Sequence, residues 1–159
     1  MTERADFDAQ AMAERVGASM YAEDAASQAL GLNVDAMGPG YARIVMTVRA
    51  DMLNSLKICQ GGLITTLADA AFAYACNSHN ELTLAAGITV DFVAPAREGD
   101  VLSAAANEVS QSGRTGIYDV VVSNQNGETI ALLRGRSHRM KDRKTLPTEK
   151  DTDADAGNS

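Results

Sequence analysis

Apolar residues near the start of the chain recur at three- and four-residue steps. Ala9, Met12, Ala13, Val16 and Met20 form one stripe, with Asp8, Glu14 and Arg15 between them. That spacing predicts an amphipathic helix. A shorter helical piece, Ala25 to Leu30, stops at Gly31, a natural left-handed cap. Residues 1–31 therefore read as a helical arm packed on the rest of the chain. The period changes at Leu32. Leu32 to Ala36 reads as a short strand, and Gly38-Pro39-Gly40 as a turn. Tyr41 to Val48 alternates, with Ile44, Met46 and Val48 on one face against Val45 and Thr47. Residues 61–77 are apolar nearly all round, rich in Ala and Leu, and open on Gly61-Gly62. A helix of that kind is buried on most sides.

Four strands are expected after this helix. They run from Ala86 to Val93, Val101 to Val109, Thr115 to Ser123 and Thr129 to Arg136. Pro95 ends the first, and Asn126-Gly127 is a strong hairpin signal before the last. The class is α+β: one buried helix between a first strand pair and a four-strand antiparallel meander. The body spans 32–140. The tail, 141–159, is polar and lacks apolar periodicity, so it reads as disordered.

Composition narrows the function. The chain has 159 residues, 45% hydrophobic and 22% charged, enough for one domain with a true core. Fourteen Lys and Arg face 21 Asp and Glu, a formal charge of -7. A net-acidic domain is a poor match to nucleic acid, whose phosphates need Lys and Arg. Aromatics at 4% disfavour a base-stacking platform. Cys59 and Cys76 are too few for a disulfide scaffold and read as reduced thiols. The first residues have no apolar signal region. The longest apolar run, Leu63 to Cys76, is broken by Asp69 and is shorter than the about 20 residues a bilayer span needs. No membrane is expected as a partner, and the expected location is the cytoplasm.

Most catalytic signatures are missing. There is no G-x-S-x-G elbow, P-loop or dinucleotide fingerprint. His79 and His138 lack metal-ligand spacing, so no metal is expected. Two features stand out. Asp69 is a carboxylate in the middle of an apolar helix, where an ionised group needs a partner. Either Thr65 or Thr66 satisfies it, or it reaches a cleft, or it faces a partly desolvated site as nucleophile or general base. Gln60-Gly61-Gly62 opens the helix, where free backbone N–H groups and the positive dipole end lie. Glycines there are common in loops, but they also let a carbonyl approach and become an oxyanion. Gly61 and Asp69 are eight residues apart, about 12 Å along a helix. One carbonyl cannot touch both in a single chain. They serve different roles, or two subunits each lend one, which implies a dimer with the site at its interface.

The pattern Asn54-x5-Gln60-Gly61-Gly62-x4-Leu67-x-Asp69 resembles the active-site signature of hotdog-fold acyl-CoA thioesterases. The segments LADAAFAYACNSHN, ITVDFVAPAREGDVL (88–102) and RTGIYDVVVSNQNGETIALLRGRSHRM (114–140) resemble the phenylacetic acid degradation branch. The match covers roughly residues 30–140. It implies a hotdog fold, an antiparallel sheet wrapped around one long buried helix. It implies Asp69 as the catalytic carboxylate and Gly61 as a backbone N–H donor to the thioester carbonyl, with Gly62 beside it. It implies that Asn54 positions water or the acyl group. It also implies an acyl-CoA substrate, a site between two protomers, and commonly a tetramer of two such dimers, with no separate cofactor. The family usually has His where this chain has Gln60, which hydrogen-bonds but does not titrate near pH 7.

The charge is unevenly spread. Arg134, Arg136, Arg139, Lys141, Arg143 and Lys144 stand against Asp142 alone. On a strand, Arg134, Arg136 and His138 share one face. This is a solvated strand end and tail, or, as the resemblance implies, a patch for the coenzyme A phosphates, with Arg97 and Arg114 as further candidates. The expected activity is hydrolysis of aryl-acetyl-CoA thioesters in aromatic catabolism. The rivals are a hotdog enoyl-CoA hydratase or dehydratase, which needs a His with an acid, and a non-catalytic acyl-CoA-binding protein.

Overall fold

The computed structural model describes residues 2–146, with side chains from residue 8 onward. Helix α1 spans Thr2–Glu23 and α2 spans Ala25–Leu30. Asp24 caps α2, its carboxylate accepting from Ser27 N at 3.0 Å, and Gly31 closes it with φ +71°. The same carboxylate accepts from the Tyr74 hydroxyl at 3.0 Å, which ties the arm to the central helix. Strands β1 (Asn33–Gly38) and β2 (Tyr41–Thr47) form a hairpin. Central helix α3 is Gly61–Asn77, the range the Gly-Gly opening and the apolar run predict. Strands β3 (Thr83–Phe92), β4 (Val101–Ser112), β5 (Thr115–Ser123) and β6 (Thr129–Arg139) complete the elements of the described residues.

The six strands form one antiparallel sheet in the order β1-β2-β4-β5-β6-β3. This corrects the four-strand meander. Only β4, β5 and β6 follow one another; β3 lies at the far edge against β6, while β4 pairs with β2. The eight residues from Val93 to Asp100 make the crossing. Val93 N and Ala94 N both donate to Ile130 O, and Cys59 N donates to Ala96 O. Local patterning cannot show this step, because it depends on which strand curls round the helix.

The sheet wraps α3. Alternating positions of β2, β4, β5 and β6 are buried, as period-2 patterning requires. Ile44, Met46 and Val48 lie inside together, as the sequence predicts. Leu67, Ala68, Ala71, Phe72 and Ala75 of α3 are fully covered. Each large side chain so buried stabilises the fold by about 1.5–3 kcal/mol. The fit is close at Gly135 of β6, where an added Cβ would meet the Phe72 ring at 2.8 Å. Helix α3 runs antiparallel to β3. Its first residue, Gly61, faces Phe92, and its last, Asn77, bonds Thr83 through both backbone groups (2.9 and 3.0 Å).

Strand ends extend beyond the sequence reading at β3, β4 and β6. Residues 141–146, assigned by composition to the tail, are fastened to the body. Leu82 N donates to Arg143 O, Thr145 Oγ1 to Asn77 Oδ1, and Leu146 N to Asn80 Oδ1. Residues 147–159 of that tail lie outside the described residues. Among the described residues, no helix is long and apolar enough to cross a membrane.

Candidate active site

The start of α3 is held by its neighbours on both sides. Gln60 N donates to Met52 O at 2.8 Å, while Cys59 N donates to Ala96 O at 2.8 Å. The Gln60 carbonyl then accepts from Leu63 N at 2.9 Å. Gln60 is the N-cap, yet its side chain makes no capping bond and stands in solvent. Gly61 N–H and Gly62 N–H have no acceptor among the described residues. Two free donors at the positive end of a helix suit a developing oxyanion. The space around Gly62 is open.

Asn54 stands in the loop before the helix. Its Oδ1 accepts from Leu56 N at 2.9 Å and Ile58 N at 3.4 Å, and its carbonyl accepts from Lys57 N, which shapes a tight turn with Lys57 at φ +59°. Asn54 and Gly61 line one cavity of about 510 Å³ with Ile58, Cys59, Ile64, Phe92 and Pro95. Asp69 is not part of it. The structure joins two of the expected residues and holds the third two helical turns away, as the spacing requires.

Asp69 is half-buried. Thr65 and Thr66 do not satisfy it: their hydroxyls donate to Gly61 O and Gly62 O, each at 2.9 Å, within their own helix. No hydrogen bond reaches the Asp69 carboxylate among the described residues. Burial alone therefore acts on it, and pushes its pKa above the ordinary aspartate value. An unpaired carboxylate so placed has the character of a base or nucleophile.

The cationic candidates do not form one patch. Arg136 and His138 share the exposed outer face of β6 with Arg134, whose guanidinium grips Asp119 by two bonds of 2.7 Å. Arg139 belongs to the opposite, inner row, and its Nε is buried without a partner. The alternation of the strand separates it from Arg136 and His138. Arg97 follows Ala96 near the start of α3, its backbone N–H on Asp100 at 2.8 Å. Arg114 lies at the other end, its carbonyl accepting from Arg139 N. Cys59 and Cys76 are both free and buried, and burial raises the Cys76 thiol to about 12. Phe92, Ile58, Ile64 and Pro95 line the cavity without any signal in the sequence, since each reads there as an ordinary strand, loop or core position.

The profile of the thioesterase superfamily matches residues 56–131. The acyl-coenzyme A thioesterase PaaI of Escherichia coli K12 is 46% identical over 122 residues, 77% of this chain and 87% of that protein. The chain belongs to the thioesterase superfamily. Its fold is the hotdog fold. The structure of the E. coli PaaI protein from the phenylacetic acid degradation operon has a TM-score of 0.81 at 44% identity, over 82% of this chain and 95% of that one. A variant of the phenylacetic acid degradation protein PaaI from Thermus thermophilus has a TM-score of 0.69 at 37% identity, over 72% and 97%. For this superfamily member, the residues named by the signature lie in the loop before α3 (Asn54), at its start (Gln60, Gly61, Gly62) and at its middle (Leu67, Asp69).

Proposed function

We propose that this thioesterase hydrolyses aryl-acetyl-CoA thioesters, such as phenylacetyl-CoA or its ring-hydroxylated forms, to free acid and coenzyme A in phenylacetate catabolism. The observation that carries this is an unpaired, desolvated carboxylate, Asp69, on the helix whose first residues present two free N–H groups. The thioester carbonyl accepts from Gly61 N–H as its oxygen gains charge. Asp69 attacks the carbonyl carbon or takes a proton from the attacking water. Either way water and thioester become acid and thiol, and the carboxylate must be ionised. Coenzyme A enters as part of the substrate, and no cofactor takes part.

The complete site lies between two copies of the chain. Strand β3 leaves one edge of the sheet unpaired, with Leu84 at 53% and Ile88 at 41% exposure. An open edge of this kind is a template for another strand. A two-fold axis that pairs β3 with its copy sets the two α3 helices side by side, and Gly61 of one copy and Asp69 of the second then contribute to one site. Two such dimers form the tetramer, and the protein works in the cytoplasm. Arg136 and His138 hold the coenzyme A phosphates. The hydratase reading finds no His beside Asp69: His79 bonds Glu108 at 3.0 Å beyond the far end of α3, and His138 is on the outer face.

Thioester hydrolysis followed with a thiol reagent, over aryl- and alkyl-CoA substrates, tests the proposal. Asp69→Ala is expected to lower turnover by about a thousandfold or more while remaining folded. Wild-type turnover in that variant removes the mechanism; binding of acyl-CoA without hydrolysis by the wild type favours the non-catalytic alternative.

A further inference from the structure

Phe92 ends β3 on its inner row, opposite Ala131 of β6. Ala131 is fully buried, yet Phe92 is 53% exposed. A ring left half in water forgoes much of the stabilisation that burial offers. Its tip rests on the first residue of α3. A Cβ on Gly61 would lie 2.9 Å from Phe92 Cζ and 3.3 Å from Cε1 and Cε2. The ring therefore packs on the backbone beside the free Gly61 N–H, and a Cβ at that position would push the ring aside.

The same ring walls the cavity of about 510 Å³, with Ile58, Ile64 and Pro95 as further apolar lining and the Asn54 side chain and Gly61 backbone as polar groups. Such a volume suits a small-molecule moiety, and mostly apolar walls with few polar atoms suit an uncharged one. A carbonyl held on Gly61 N–H brings its acyl substituent within reach of the Phe92 ring. Resting on the thioesterase activity proposed above, we infer that Phe92 is a specificity-determining residue whose ring packs against the aryl group of the acyl chain. Aromatic rings attract one another in tilted or offset arrangements beyond the area they bury, and an alkyl chain lacks that added attraction. Phe92 thus favours aryl over straight-chain acyl groups at equal size.

The test compares kcat/KM for phenylacetyl-CoA and hexanoyl-CoA in the wild type, Phe92→Leu and Phe92→Tyr, with size-exclusion elution of each. Phe92→Leu is expected to lose about three- to tenfold on phenylacetyl-CoA and less than about twofold on hexanoyl-CoA. Phe92→Tyr keeps the wild-type ratio. Equal losses on both thioesters, or no loss on either, overturn the inference. So does a Phe92→Leu chain that elutes as a smaller species, which makes the ring an anchor between copies. A wild type inactive on every thioester overturns the proposed function itself, and this inference with it.

Discussion

In the proposed function, Asp69 sets activity and stability against each other. Burial raises its pKa in the folded chain, so folding favours the protonated acid. For a carboxyl raised in this way, the associated stability is fully present below the unfolded-state pKa, about 3.9. It is lost as pH rises through the folded value. Asp69→Asn removes that loss. The variant is expected to melt at or above the wild-type temperature at pH 7, with the difference vanishing below about pH 4, while hydrolysis is abolished. Thermal melts at the two pH values check this; a lower Tm at pH 7 contradicts the unpaired, desolvated state of the carboxylate. The acid limb of the wild-type kcat/KM profile is also expected above the ordinary aspartate range. Asp69 was legible as a candidate because one charge interrupts an apolar helix. Phe92 was not, since an aromatic on an alternating strand looks like core until its exposure and its contact with Gly61 are seen.

At the scale of elements, α3 is clamped at both ends by groups the hydrophobic pattern does not display. Asn77, buried at its last turn, bonds Ala73 O, both backbone groups of Thr83 and the Thr145 hydroxyl. Asn77→Ala leaves several of these unpaired away from water and is expected to cost about 2–3 kcal/mol in urea denaturation. A change below about 0.5 kcal/mol shows that solvent replaces the bonds. The limits of α3 were readable because Gly-Gly opens it and polar residues close it. Strand β5 and its hairpin to β6 were readable from alternation and Asn126-Gly127. The place of β3 was not. Both of its faces are largely exposed, so its pattern carries no information about which strand it pairs. The anchoring of 143–146 was hidden for a related reason: a polar segment fastened by Asn77 and Asn80 has the composition of a loose tail.

At the scale of the whole molecule, the separation of Gly61 from Asp69 makes a sharp prediction about subunits. In the proposed arrangement each active site takes Gly61 from one chain and Asp69 from the other. Chains carrying Gly61→Pro, which removes the N–H donor at the first helical position where proline is tolerated, and chains carrying Asp69→Asn are each expected to be nearly inactive. Unfolded together in equal amounts and refolded, half of the dimers are mixed, and each mixed dimer keeps one intact site. About a quarter of wild-type activity is expected to return. No recovery on mixing means that both groups act within one chain.

The contact of Gly135 with the Phe72 ring has a consequence for how such a protein changes over generations. The sheet closes on α3 with no room for even one further carbon at that point. No space for a ligand opens there; the cavity beside Gly61 and Phe92 lies at the first turn of α3. Most of its lining, Phe92 and Pro95 among it, stands outside the buried core, while Cys59, Ile64 and Ala96 belong to both. Mutations can redraw the preference for one thioester over another while the interior stays untouched. Change at the exposed part of that lining is thus decoupled from the thermodynamic survival of the fold.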